Sequence, residues 1–367
     1  MGWQLTAPDL RDLARGAAVL GTGGGGDPYI GRLLVEQELR RGDRVEIIGM
    51  DELAEGALVI PVAMMGAPTV MVEKLPSGRE NVAALRALER RLGRSADAVM
   101  PVECGGLNSM MPLLVGAQTG LPVVDADGMG RAFPELHMET FGVYGVSGCP
   151  MAVADTGGGT AVVETDDNRR MEWLARGLAI RMGGVAYIAE YPMDAGEVRR
   201  TAIGGTISLG RSIGAALRTA RAAHRDPFEA LTEALAPTSY RNGAVVFRGR
   251  VVDVERRTED GFARGRLGIE EFGSDRRMTI IFQNEHLLAE VDGEVRAIVP
   301  DLICTLDAET GEPVTTEALR YGQRLTVYTI TAPDIMRTPE ALAIFGPAAF
   351  GLTGVNGRPA PARPGAG

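Results

Sequence analysis

Lysine is almost missing from this chain: Lys74 is the only one, and every other residue in the Lys+Arg total of 38 is arginine. A coding preference for arginine accounts for the other positions. It also makes Lys74 an outlier, because an amine with a shiftable pKa, or one that can be carbamylated, is what a guanidinium cannot supply. Cysteine is scarce as well. Cys104, Cys149 and Cys304 stand far apart with no CxxC, which excludes a disulfide framework and a zinc knuckle. Three histidines (His137, His224 and His286) cannot build a His-rich metal cage, so any metal must lean on carboxylates. Unbroken apolar runs of about 18 residues are absent, so no membrane partner is expected. The N-terminus shows neither a basic n-region nor an apolar h-region, and a soluble cytoplasmic chain is the expectation. Positive charge is in deficit: the net charge is −10 and the pI near 5.1, which argues against a nucleic-acid partner because phosphate neutralisation needs a basic surface.

What is present describes an ordinary globular protein. Its 367 residues, 45% hydrophobic and 23% charged, exceed one ordinary core and suit two domains. Amphipathic helices are predicted over 7–20, 29–41, 80–94 and 108–119. They alternate with short apolar strands at 45–48, 58–64, 98–102 and 122–125, with a further extended piece at 71–74. That alternation predicts an N-terminal three-layer α/β domain with a mostly parallel sheet over 1–165. From 166 to 356 the texture changes to helices (168–182, 207–235) and then many short alternating segments. This part reads as α+β with a β-rich barrel or sandwich portion, and residues 357–367 read as a disordered tail.

Chemistry-bearing residues gather where strands end. The tract Gly21-Thr22-Gly23-Gly24-Gly25-Gly26-Asp27-Pro28 contains a GxGxxG spacing, but it follows a helix rather than a strand. A dinucleotide loop, with Asp51 as the ribose ligand, stays open beside a second reading as a backbone cradle for an anion or substrate. Glu73-Lys74 closes an apolar extended stretch, as a surface ion pair or as site residues. Glu103-Cys104-Gly105-Gly106-Leu107-Asn108 leaves a strand with a carboxylate, two glycines and an Asn at a helix start, the makings of a pocket rim. Cys104 reads either as a nucleophile or as a small buried thiol. Asp125 and Asp127 come off a strand at i and i+2, and Arg131, Glu135 and His137 follow. Carboxylates and an imidazole in that pattern are ligands for a divalent metal, or else an acidic Asp-Gly turn. Gln283-Asn284-Glu285-His286 is a polar knot between two strands, a hairpin turn or a substrate contact.

Together, Gly-Thr-Gly-Gly-Gly-Gly-Asp-Pro at 21–28, Gly-Ala-Pro-Thr at 66–69, Gly-Gly-Leu-Asn at 105–108 and the block 124–136 resemble the DUF917 group, the S-methyl thiohydantoin desulfurase-like family. The likeness runs on through Phe282-Gln-Asn-Glu285, Pro300-Asp-Leu-Ile303 and Gly346-Pro-Ala-Ala-Phe-Gly351, and so over nearly the whole chain. The resemblance implies a metal-dependent hydrolase that replaces the sulfur of a thiohydantoin- or hydantoin-like ring by water oxygen. On that reading Glu103, Asp125, Asp127 and His137 hold a divalent metal, zinc by preference. Glu73, Lys74 and Glu135 do acid–base or charge-stabilising work. Gly23, Gly24, Gly25, Gly26, Asp27, Asn108 and Arg131 bind the small-molecule substrate. Further copies of the same chain and a hydantoinase-type enzyme are the expected protein partners. The alternative is a non-catalytic or nucleotide-binding subunit of a hydantoinase or oxoprolinase-type enzyme, against which the lack of a Walker lysine weighs.

Overall fold

The computed structural model describes residues 2–66, 76–259 and 262–352. The expected extended piece at 71–74 and the tail at 357–367 lie outside these residues.

The first sheet has nine strands among the described residues. Its main path runs Trp3–Gln4, Glu46–Ile48, Val123–Val124, Ala98–Pro101, Leu58–Gly66, Val185–Ala189, Met151–Ala154, Thr160–Val163, and Met193–Asp194 pairs beside Leu58–Gly66. The pairs joining Glu46–Ile48, Val123–Val124, Ala98–Pro101 and Leu58–Gly66 are parallel; antiparallel strands extend this centre on both sides. The sheet therefore draws strands from beyond residue 165. Leu58–Gly66 shows why it can sit in the middle. Ile60, Val62 and Met64 pack into one apolar layer, Val59, Ala63 and Met65 into the opposite one, and the two-residue period of the strand allots them. Helices Ala7–Leu20, Glu80–Leu92 and Met111–Thr119 contribute to the first layer, and Asn168–Arg181 and Ala195–Thr201 to the second.

The C-terminal part is a curled, seven-stranded antiparallel half-barrel with the strand order Glu294–Ile298, Glu285–Val291, Arg277–Gln283, Phe262–Glu271, Gly243–Glu259, Arg324–Ile330, Leu302–Asp307. The two parts share an apolar seam in which Val19, Leu20 and Cys104 meet Leu302, Cys304 and Tyr328. The helix expected over 207–235 is two helices, Thr206–Ala222 and Pro227–Leu235. His224 takes a left-handed φ of 53°, and Asp226 restarts the chain by accepting Phe228 N–H at 2.7 Å ahead of Pro227.

Candidate active site

Because Leu58–Gly66 and Ala98–Pro101 run parallel, both carboxyl ends open on one sheet edge, the place where α/β folds collect ligands. A small cleft of about 60 Å³ lies there, lined by Met64, Glu103, Asn108 and Phe133 from the first part and by Asn284, Glu285 and Glu317 from the second. Gly25 and Arg176 also line it.

Two buried carboxylates face each other electrostatically across this cleft. Asn108 Nδ2 donates to Glu103 Oε1 at 2.7 Å, while Glu103 Oε2 has no partner. Gly25 N–H donates to Glu285 Oε1 at 3.1 Å, and Glu285 Oε2 is likewise without a partner. Each acid is thus held by one oxygen and free at the other. Burial, and then the neighbouring Glu285, raise Glu103 well above the ordinary carboxylate range. Burial lifts Glu285 to about 8, against the opposing pull of Arg131 and of the Gly25 amide. Both acids are therefore biased toward the protonated form near neutral pH.

The glycine loop serves this arrangement. A Cβ on Gly24 would stand 2.3 Å from Glu285 Oε1, and one on Gly106 would stand 2.2 Å from the Gly25 carbonyl at a φ of 60°, so both positions need glycine for close approach. His286 N–H donates to Thr22 O at 2.8 Å and Thr316 N–H to Gly23 O at 2.7 Å, which ties the loop to the C-terminal part. Gly24 N–H donates to Gly21 O at 2.9 Å within the loop itself. Gly25 lines the cleft, whereas Asp27 lies at a different surface recess and accepts Tyr29 N–H at 2.9 Å.

The remaining expected site residues have diverse placements. Asn108 borders the cleft, but its amide is committed: Oδ1 accepts Met64 N–H at 2.8 Å, and Nδ2 serves Met64 O at 3.0 Å as well as Glu103. Arg131 is wholly buried behind the wall. It donates to Ala132 O at 3.1 Å, Asp301 O at 2.8 Å, Thr22 Oγ1 at 2.9 Å and His286 O at 2.8 Å, and so stitches the two parts together. Asp125 turns away to the start of the Thr206–Ala222 helix, where it accepts Ile207 N–H at 2.8 Å and Ser208 N–H at 3.1 Å. Asp127 shapes its own loop by accepting Cys104, Gly130 and Met129 N–H groups at 2.9, 2.7 and 3.2 Å, and burial raises it to about 6. His137 lies 3.4 Å from Glu135. Burial, and then Arg169, lower His137 to about 4, so the contact is not an ion pair at neutral pH. Glu135 is half-buried between the cleft residues Pro134 and Leu136 and is raised, first by burial and then by Glu172. Cys104 is buried, and burial followed by Asp127 raises its thiol far above the range of a nucleophile. Glu73 and Lys74 lie outside the described residues.

The four expected metal ligands, then, have separate duties. Among the described residues no group of three His, Cys, Asp or Glu side chains is placed to hold a metal ion. The unpartnered oxygens of Glu103 and Glu285 are suited to exchanging protons, and among the described residues they do not belong to a group of three ligands placed to hold a metal.

Two carboxylates of this neighbourhood escape a reading of the sequence, and a third, Glu285, is read there only as part of a turn or a substrate contact. Glu139 and Glu190 are fully buried with all four carboxylate oxygens unpartnered, and burial raises both strongly; Glu190 adds to the shift of Glu139. Glu190 follows the apolar strand Val185–Ala189, the same strand-end signal that singles out Glu103.

No curated protein matches the chain. The crystal structure of a protein from Chromobacterium violaceum is similar, with 25% sequence identity, a TM-score of 0.82 and coverage of 97% of this chain and 98% of that one. Residues 8–165 match the family described as S-Me-THD-like, N-terminal domain, and residues 165–359 match S-Me-THD-like, C-terminal domain. With both halves matched in the order in which they frame the cleft, the chain belongs to the S-Me-THD-like family.

Proposed function

We propose that this chain is a hydrolase that replaces the sulfur substituent of an S-methyl thiohydantoin-like ring by water oxygen, using Glu285 as base and Glu103 as acid. The observation that carries the reading is the cleft pair. Each carboxylate is anchored by one oxygen and unpartnered at the other, and burial raises both toward the range in which a carboxyl can exchange protons near neutral pH.

The steps balance with these two groups alone. Water adds to the ring carbon of the C(SCH3)=N unit. As the O–C bond forms, Glu285 Oε2 takes a water proton, Glu103 Oε2 gives its proton to the ring nitrogen, and the C=N π pair moves to that nitrogen. In the collapse of the tetrahedral intermediate, the new hydroxyl returns a proton to Glu103 and the C–S bond breaks. The departing methanethiolate takes the proton held by Glu285. The products are the ring carbonyl and methanethiol, and both acids are restored. Asn108 keeps Glu103 oriented through its bonds to Met64, and Gly25 N–H fixes Glu285. The resemblance also implies a divalent metal; since no ligand set for it stands at the cleft among the described residues, no step is routed through one.

The test is release of methanethiol from an S-methyl thiohydantoin by the purified full chain, followed with a thiol reagent, and run with chelator and with added zinc. Turnover in chelator supports the acid–base route. Turnover only with zinc moves the chemistry to a metal, and no release under either condition overturns the reading.

A further inference from the structure

The half-barrel carries a second, larger recess outside the reaction just described. It is a groove of about 710 Å³ with Phe282 and Leu287 in its wall and four arginines, Arg256, Arg257, Arg264 and Arg266, around it. Its size and partly apolar lining suit a small organic molecule, and the guanidinium groups set the sign of charge it takes. Two of the four are neutralised nearby: Arg257 by Glu259 at 3.1 Å, and Arg266 by Glu255 at 3.1 Å and Asp253 at 3.5 Å. Arg256 donates to Thr316 O. Arg264 differs. It is half-buried, its Nε is fully buried without an acceptor, and no hydrogen bond or ion pair holds its guanidinium among the described residues. A donor withdrawn from water and left unmet costs free energy that an anion in the groove would restore.

Groove and cleft share no lining residue, but they are neighbours along the chain. Arg264 pairs in register with Gln283, a groove residue, and the chain runs from there directly into Asn284 and Glu285 of the cleft. Arg264 also acts electrostatically on Glu135, which lies between the cleft residues Pro134 and Leu136. Thr316, the acceptor of Arg256, precedes Glu317 of the cleft.

We propose that the groove is an anion subsite, centred on Arg264, that receives a carboxylate-bearing substituent of the substrate while the ring lies between Glu103 and Glu285. This rests on the hydrolase reading above, and two measurements keep the fates of the two ideas apart. The first compares S-methyl thiohydantoins with side chains of equal length, one ending in a carboxylate and the other in a neutral carboxamide, on the unaltered chain and on Arg264→Gln. The variant is expected to raise KM for the carboxylate substrate roughly tenfold or more, the scale of one charge-assisted hydrogen bond. KM for the carboxamide and kcat for both stay within about twofold, and Arg264→Lys recovers part of the loss. An equal change for both substrates overturns the subsite. The second measurement is calorimetric titration with a hydantoin carrying the same carboxylate chain, which needs no turnover. Binding that is lost in Arg264→Gln and weakens with salt supports the subsite even if neither substrate is hydrolysed. Equal binding by both proteins, or none by the unaltered chain, overturns it.

Discussion

Two pairs of glutamates sit within one acidic neighbourhood and are built differently. Glu103 and Glu285 each give one oxygen to a fixed donor and leave the other free at a cleft. Glu139 and Glu190 are also buried and also raised by that burial, yet no donor orients any of their oxygens. Burial alone is enough to perturb a carboxylate. Catalysis asks in addition that the group be aimed and that a reactant reach it. A shifted proton affinity is therefore a sign of an active site only together with anchoring and access; the cleft pair is anchored and lines a cleft, and the other pair does neither.

The sharpest way to break this comparison is substitution by the neutral isostere. Glu103→Gln and Glu285→Gln are each expected to lower turnover by roughly 10²- to 10⁴-fold, the usual weight of a general acid or base. Glu190→Gln should leave kcat within about threefold. Methanethiol release measures all three, and a comparable loss in Glu190→Gln at unchanged thermal stability would place the sealed pair in the chemistry. The next effect concerns Arg131, whose charge opposes the upward shift of Glu285. Arg131→Met should cost about 3 kcal/mol in urea unfolding, since it strips donors from four buried acceptors. It should also move the ionisation of Glu285 upward. In the unaltered chain, kcat/KM is expected to rise with pH through about 8 as Glu285 loses its proton. It should fall at higher pH as Glu103 follows. An ascending limb near 8 that survives in Glu285→Gln would assign it to another group.

The architecture was legible where local pattern and tertiary role agree. The apolar strand at 58–64 and the helices at 7–20 and 29–41 fold where periodicity puts them, with both faces of that strand buried as a continuous apolar run requires. The break at His224–Asp226 is hidden from the pattern because the helical period continues on either side of it, although Asp226-Pro227 carries the signature of a new start. At the site, the strand-end rule points to Glu103, as a metal ligand, and the structure puts its carboxylate at the cleft. Spacing at Asp125 and Asp127 says nothing about direction, and there the backbone turns one carboxylate to a helix start and the other into its own loop. Arg131 reads as a substrate contact for the same reason: a sequence shows a cation but not the backbone carbonyls that enclose it. Glu285 could not be matched to Glu103 beforehand, because some 180 residues of chain separate them and only the packing of the half-barrel on the glycine loop makes them neighbours.

The smallest effect is on stability, and it tests the pairs jointly. An unfolded glutamate titrates at about 4.3, whereas Glu285 in the folded chain titrates at about 8 and Glu103, Glu139 and Glu190 are all raised. Below about 4.3 both states hold these protons and the groups add no pH dependence. Between there and about 8 the folded state keeps protons that the unfolded state has released, so raising the pH favours unfolding. For Glu285 the slope ends as the folded carboxyl itself ionises above about 8. Thermal unfolding should accordingly show Tm falling from pH 5 to pH 8, by the equivalent of about 1 kcal/mol or more for each carboxyl shifted by a full unit. Glu190→Gln and Glu285→Gln should each flatten that fall, because an amide does not titrate, while only Glu285→Gln also removes activity. A Tm that instead rises over this window in the unaltered chain would mean that these acids are ionised in the folded state, and the proton placement that assigns Glu103 as the acid would fail with it.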